Sequence, residues 1–239
     1  MILSRTFRQS SKMRTEIDDP ENKLFARALS YRLDAEVLRD IGLWGSGLLD
    51  ESMGGEGTKP YQPPGMWLAL AHPASNTKLY VQDKGNKLYR RSLYLYWKRT
   101  SPHPMMTLFD APSRESSCVR RSRTNTSLQS LGLLNETQRT EMARVFAEKL
   151  LQAQKIDSKR IELAFQIVAS RKPNEKEAAA CLNLLLKMKK RFAQNPADAN
   201  QLVSVGEAAR NRRINPVELA AWTQVMTVVL ASDAAITLY

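Results

Sequence analysis

The sequence predicts a mainly α-helical protein with a bundle-like, helical C-terminal half and an irregular, loop-rich, basic N-terminal half. Apolar residues recur at helical spacing almost without interruption over residues 135–239, whereas no hairpin signal is visible. Hydrophobic residues make up 43% and charged residues 25% of the 239 residues, which is typical of a chain that buries a core. We therefore expect a single helical domain over residues 1–239, with a loop-rich basic half at 1–134 and a helix bundle at 135–239.

Only one helix is clear in the first half, between Arg32 and Leu49, where apolar residues step by three or four. These residues are Leu33, Val37, Ile41, Trp44 and Leu48. Dense glycine and proline then predict an irregular loop over residues 50–65. The aromatic stretch 88–97 fits a strand or a helix, and we interpret it as a helix because no partner strand is visible nearby. Prolines should keep residues 102–112 extended before a helix near 125–134.

Four helices are expected in the second half. Asn135 can cap the first of them, which carries an apolar stripe four residues apart at Met142, Phe146 and Leu150. The second helix has a similar face, composed of Ile161, Ala164, Phe165 and Val168. Short connections between such helices favour a bundle.

The remaining two helices have clear start signals. Asn174 followed by Glu177 is a capping-box pattern, and Cys181 lies in the apolar stripe that follows, as a core residue would. Asn215 and Pro216 are typical of the cap and first position of the last helix. Although the stretch 219–238 is apolar, its threonines and Asp233 favour a buried core helix over a membrane span.

The chain has a formal net charge of +12, and most of the excess lies in one segment. Within residues 84–124, ten basic residues stand against two acidic ones. Such a bias favours acidic partners. The end of the segment is rich in arginine, whose planar guanidinium suits carboxylate, sulfate or phosphate.

The arginines run directly into the helix predicted near residues 125–134. Free N–H groups at a helix N-terminus beside arginines can bind an anion. The candidate anion-binding residues are Arg114, Arg120, Arg121, Arg123, Thr124 and Asn125. The same arginines could instead pair with internal carboxylates and hold the irregular half together, and both interpretations stay open.

Signals for catalysis are weak. The two histidines, His72 and His103, form no zinc-spaced cluster with cysteine, and haem-attachment, dinucleotide and Walker A motifs are absent, so we expect no metal site and no cofactor. Cys118 lies among arginines that would favour its thiolate, and His103 could serve as its base. For acid–base chemistry the nearest carboxylates are Asp110 and Glu115.

Several long motifs occur in a fixed order along the chain. They are Tyr31-Arg-Leu-Asp-Ala-Glu-Val-Leu-Arg-Asp40, Lys59-Pro-Tyr-Gln-Pro-Pro-Gly-Met-Trp67, Leu88-Tyr-Arg-Arg-Ser-Leu-Tyr94, Phe109-Asp-Ala-Pro-Ser-Arg-Glu-Ser116, Val119-Arg-Arg-Ser-Arg-Thr-Asn-Thr126 and Glu218-Leu-Ala-Ala-Trp-Thr223. Together they resemble the C-terminal domain of unknown function of large planctomycete exported proteins. The resemblance covers nearly the whole chain.

This resemblance implies a mainly helical domain that follows a second uncharacterised domain and often an N-terminal c-type cytochrome module. Residues 4–11 look like the middle of the usual sequence, so we expect a C-terminal fragment of a multidomain protein. The family suggests an exported or periplasmic location, although residues 1–9 show no signal-peptide apolar region of about 7–15 residues. The family has no established activity, so the resemblance implies no catalytic residue.

The leading hypothesis is a non-catalytic helical module that packs against sibling domains and binds an acidic or sulfated glycan, or another anion, through its arginines. An alternative is a hydrolase or lyase acting on acidic or sulfated polysaccharide. Nucleic-acid binding is a third and less favoured alternative, because the net charge and the basic segment are its sole support.

Overall fold

The computed structural model describes residue 1 and residues 3–238, and it is mainly α-helical, as predicted. The described residues form ten α-helices, two short 3-10 helices and two short strands. The helices are α1 Ala35–Ser46, α2 Met66–Leu70, α3 Pro104–Leu108, α4 Ser127–Asn135, α5 Thr137–Ala153, α6 Asp157–Ala169, α7 Glu175–Gln194, α8 Pro196–Leu202, α9 Pro216–Ala231 and α10 Asp233–Ile236. The 3-10 helices are Gly85–Tyr89 and Ser92–Tyr94, and the strands are β1 Tyr31–Arg32 and β2 Thr237–Leu238.

Helix α9 lies at the centre of the core and packs against α5, α7 and α8. Trp222, Leu219 and Val225 are completely buried in it. A helix that is apolar on every side is stable in water only when other elements surround it. The helix expected within the apolar stretch 219–238 is therefore a core helix. In the part of the chain that the structure describes, no helix has the length and apolarity needed to cross a membrane.

The helices predicted for the second half are confirmed, together with most of their faces. The predicted cap of the first is wrong, because Asn135 is the last residue of α4 and the Glu136 side chain caps α5 by accepting from the Arg139 N–H. Met142, Phe146 and Leu150 of α5 are completely buried. The Asn174 side chain accepts a hydrogen bond from the Glu177 N–H at 2.9 Å, and Glu177 accepts one from the Asn174 N–H at 2.8 Å. These reciprocal bonds satisfy N–H groups at the start of α7 that the helix leaves without partners.

Helix α1 is confirmed, but its predicted apolar stripe is not the face that packs on the bundle. Val37 and Trp44 are 42% and 53% exposed, whereas Leu43 is completely buried. A Cβ at Gly42 would lie 2.6 Å from Met142 Sδ, so α1 and α5 touch where α1 has no side chain. Small residues allow this close approach, and hydrophobic periodicity alone does not reveal it.

Two predictions in the first half are wrong. Residues 88–97 hold the end of the first 3-10 helix and the whole of the second rather than an α-helix. Leu88 and Tyr89 enter the core, and side chains of α1 and α5 bind the nearby carbonyls. The segment 102–112 is not fully extended, since it contains α3. Pro104 is the first residue of α3, where its missing N–H costs no intrahelical hydrogen bond.

The division at residue 134 is not confirmed. The main cluster of buried side chains includes Leu43, Leu88 and Tyr89 from the first half together with residues of α5–α9. The short sheet also joins distant parts of the chain, since Tyr31 and Arg32 pair antiparallel with Leu238 and Thr237. The loop-rich segments therefore wrap the bundle and share its core.

Candidate anion-binding site

The candidate arginines lie in a surface loop, residues 113–126, here called the arginine loop. Asp110 closes its neck by accepting hydrogen bonds from the Thr124 N–H at 2.8 Å and from Arg32 Nη2 at 2.6 Å. Gln129 of α4 donates to Thr124 Oγ1 at 2.9 Å. The ends of the loop are thus fixed beside α4, while its tip remains at the surface.

Arg121 is fastened to the start of α1. Its guanidinium donates to both carboxylate oxygens of Glu36, at 2.7 and 3.1 Å, and lies 3.5 Å from Asp34 Oδ2. Partial burial alone would raise the pKa of Glu36, but the hydrogen bonds and charge of Arg121 outweigh it and hold that pKa below its ordinary value. Carboxylates also suit this position because they face the positive end of the α1 dipole.

Two further arginines lie over aromatic rings. Arg123 is 4.3 Å from the centre of the Tyr31 ring, and its Nη2 is 3.8 Å from Asp34 Oδ1. Arg114 stacks over Trp97 at 4.6 Å, and its φ of 62° turns the chain at that point. Each guanidinium contacts a ring on one face only, and both arginines remain exposed to solvent.

Arg120 differs from the other three. It is exposed, and among the described residues it has neither a carboxylate within ion-pair distance nor an aromatic ring under its guanidinium. Arg114 also lacks a carboxylate in that part of the chain, but it lies over Trp97. It lines a shallow depression together with Arg121, Ser122 and Arg123. Asn125 is exposed as well, whereas the Thr124 hydroxyl is occupied by Asp110 and Gln129. The structure therefore places the predicted residues in one loop. Among the four arginines of that loop, Arg120 has the fewest ion pairs and ring contacts with the rest of the described residues.

The start of α4 is less open than the sequence suggested. Gln129 Oε1 accepts a hydrogen bond from the N–H of the cap residue Thr126 at 3.3 Å, and the Gln129 side chain is buried. Gln129 also donates to the Leu108 carbonyl at 2.9 Å. One buried glutamine thus joins α3, the neck of the loop and α4. The start of α4 therefore serves to hold these three segments together.

The candidate catalytic groups do not come together. His103 is 7% exposed, and its Nε2 lies 2.9 Å from the Tyr61 carbonyl, whereas Cys118 is exposed in the arginine loop. The Asp110 carboxylate already accepts hydrogen bonds from the Thr124 N–H and from Arg32. Glu115 lies at the surface, 4.0 Å from Arg99. In residue 1 and residues 3–238, no three His, Cys, Asp or Glu side chains are placed to hold a metal ion.

A buried polar cluster that the sequence analysis missed joins the loop-rich segments to the bundle. Arg39 of α1 is 6% exposed and donates to Gln138 Oε1 at 2.7 Å and to the carbonyls of Leu88 and Arg90, both at 2.8 Å. Its Nη1 also lies 3.1 Å from Ser92 Oγ. Charged residues within a helical pattern are normally interpreted as surface, so no local signal marked Arg39.

A second buried network surrounds Glu141 of α5, which is completely inaccessible. Its Oε1 accepts from the Tyr89 hydroxyl at 2.9 Å and from the Ala208 N–H at 2.6 Å. The Tyr61 hydroxyl accepts from the Glu207 N–H at 2.7 Å. Burial, followed by the Glu141 charge, raises the pKa of both tyrosines well above the ordinary value. The network fastens the 203–211 segment to α5.

His103 predicts a pH dependence of stability. Burial lowers the pKa of its imidazole to about 4, more than its hydrogen bond to Tyr61 raises it, and the Arg39 charge lowers it further. The unfolded chain binds a proton near pH 6.5, but the folded chain does not until about pH 4. The contribution of neutral His103 to the free energy of unfolding should therefore be present above pH 6.5. It should be lost as the pH drops to 4, which lowers the free energy of unfolding by roughly 3 kcal/mol.

Urea unfolding of wild type and His103→Gln at pH 7 and at pH 4.5 measures this effect. The difference between the two proteins should change with pH, because the variant lacks the group that titrates. The matched control is His72→Gln, which replaces an exposed histidine. Identical pH dependences of wild type and His103→Gln would contradict the prediction.

These features define a mainly α-helical domain whose basic surface loop is fastened to its first helix by ion pairs. The chain belongs to the PSD1 family, described as a protein of unknown function (DUF1553), whose family model matches residues 1–185. The resemblance to a domain of unknown function is thereby confirmed. No curated protein and no solved structure matches the chain.

Proposed function

We propose that the chain is a non-catalytic module that binds an acidic or sulfated glycan through the tip of its arginine loop. The observation that carries the proposal is the contrast between neck and tip. The neck is closed by Asp110 and Thr124, while Arg120 is exposed and free of carboxylate partners among the described residues. A loop held at its base loses little conformational freedom when its tip binds a ligand.

The four arginines have different parts in this proposal. Arg120 and the accessible face of Arg114 contact the ligand, because neither has a carboxylate that the ligand would have to displace. Arg121 holds the loop on α1 through Glu36. Asp110 serves as a clamp rather than as an acid or base, which favours binding over hydrolysis or elimination.

The family resemblance supports a setting for this activity. The module would stand beside sibling domains in an exported multidomain protein, with a c-type cytochrome module as one of them. In that setting the arginine loop would hold polysaccharide close to the other domains. Any redox chemistry would belong to the cytochrome module.

The double variant Arg114→Ala, Arg120→Ala tests the proposal. We expect its affinity for immobilised heparin to fall by about tenfold at physiological salt, which corresponds to about 1.4 kcal/mol. Thermal unfolding should be unchanged, because both side chains are exposed. The matched control is Arg212→Ala, Arg213→Ala, which removes two exposed arginines elsewhere on the surface.

Salt distinguishes the alternatives. Directed hydrogen bonds from arginine to sulfate should leave measurable heparin affinity at high salt, whereas binding to duplex DNA should fade steeply. Equal losses in the two double variants would refute a site in the loop, since a general charge patch responds to any lost charge. Arg121→Ala is expected to lower stability as well, because it leaves Glu36 without its partner.

A further inference from the structure

The first part of the chain forms a second basic surface, distinct from the arginine loop and here called the N-terminal basic surface. Its residues are Leu3, Arg5, Arg8, Arg14, Leu24 and Phe25, which line a cleft of about 650 Å³. The other described residues that line the cleft are polar and neutral, and none is acidic. The surface therefore combines three cations with three large apolar side chains.

The three arginines are not neutralised by the fold. All are exposed, and no carboxylate in the described part of the chain lies within ion-pair distance of Arg5, Arg8 or Arg14. The nearby Asp19 is turned inward and accepts hydrogen bonds from backbone N–H groups instead. Glu21 pairs with Lys23. The positive charge of this surface thus remains available to an anionic partner.

The apolar side chains are held outward by the backbone. Leu24 and Phe25 are each 73% exposed, and Phe25 has a φ of 54°, a conformation that bulky residues rarely adopt. Asp19 Oδ2 accepts from the Leu24 N–H at 2.8 Å, and Gln9 Nε2 donates to the Phe25 carbonyl at 2.6 Å. Hydrogen bonds, rather than burial of the side chains, therefore determine the shape of this turn.

We propose that the N-terminal basic surface docks the protein peripherally on a membrane that contains anionic lipids. Arginine guanidinium groups bind lipid phosphates and carboxylates in the headgroup layer, while leucine and phenylalanine insert at the boundary with the acyl chains. An exposed apolar turn in the same surface as three cations matches both layers at once. A flat acidic protein surface would use the arginines but would leave Leu24 and Phe25 in water.

The test is co-sedimentation of the full chain with vesicles. Wild type should bind vesicles of phosphatidylcholine mixed equally with phosphatidylserine and should not bind phosphatidylcholine alone. The triple variant Arg5→Gln, Arg8→Gln, Arg14→Gln should lower partitioning by roughly 100-fold. The matched control is Lys155→Gln, Arg212→Gln, Arg213→Gln, which also removes three exposed cations and should have a much smaller effect.

A second variant, Leu24→Ser with Phe25→Asn, tests the apolar part without removing charge. Asparagine tolerates the left-handed backbone of residue 25, so the turn should keep its shape. We expect partitioning to fall by roughly tenfold or more. Circular dichroism should be unchanged in both variants, because the replaced side chains are exposed.

Three results would overturn the proposal. The first is a failure of the wild-type chain to bind the anionic vesicles. The second is an equal loss in the triple variant and its charge-matched control. The third is unchanged vesicle binding by the Leu24, Phe25 variant together with full displacement by soluble polyglutamate, which would indicate a surface for an acidic protein.

Discussion

Replacing Arg39 by methionine should lower the free energy of unfolding by roughly 3–5 kcal/mol. Methionine fills much of the same volume but donates no hydrogen bond. The Arg90 carbonyl and the amide oxygen of Gln138 would remain buried without the donor they have now. The Leu88 carbonyl would keep only its hydrogen bond from Gln138 Nε2. Leaving buried polar groups without partners costs more than the hydrogen bonds contribute when they are formed.

Equilibrium unfolding in urea measures this loss. Burial lowers the pKa of the Arg39 guanidinium to about 10, which still leaves it charged at neutral pH. Arg39→Lys should be more stable than Arg39→Met but less stable than wild type. A single ammonium group cannot reach all three acceptors that the planar guanidinium binds. Arg212→Met, at an exposed site, is the control. A loss below about 1 kcal/mol in Arg39→Met, within the range of ordinary surface changes, would contradict the assigned role.

Gly206→Ala should lower the free energy of unfolding by about 4 kcal/mol, nearly as much as Arg39→Met, for two additive reasons. Gly206 has a φ of 91°, which strains any residue with a Cβ. In addition, a Cβ there would lie 2.3 Å from Cδ of the buried Glu141. The carboxylate would have to move away from the Tyr89 hydroxyl and the Ala208 N–H that it binds.

Gly47→Ala separates the two causes. Gly47 ends α1 with a φ of 87°, but a Cβ there would meet nothing within 4 Å. Its replacement should therefore cost only the conformational part, about 1–2 kcal/mol. Equal losses for Gly47→Ala and Gly206→Ala in thermal or urea unfolding would show that Glu141 does not restrict residue 206.

The helices of the second half could be predicted because their signals are local. Met142, Phe146 and Leu150 are four residues apart, and Asn174 and Asn215 stand directly before the helices that they cap. Spacing and caps act within one or two turns of the chain, so they are visible in the sequence itself.

The buried polar residues could not be predicted in this way. Arg39 and Glu141 bind groups that are about 50 or more residues distant in the chain, and only the complete fold brings those groups together. The arginine loop was visible as a run of charge. Its principal partner, Glu36, lies 85 residues before Arg121, so the sequence left structural and ligand-binding interpretations open.

The central position of α9 bears on how the protein is made. Synthesis proceeds from the N-terminal to the C-terminal side, so the apolar faces of α5, α6 and α7 emerge from the ribosome before the helix that covers them. At about 5–20 residues per second, these faces wait several seconds for residues 216–231. During that interval the nascent chain exposes apolar side chains such as Phe146 and Leu150, and such exposed surface favours association with other chains. A ribosome that stalls before α9 would therefore release an aggregation-prone polypeptide rather than a smaller stable domain.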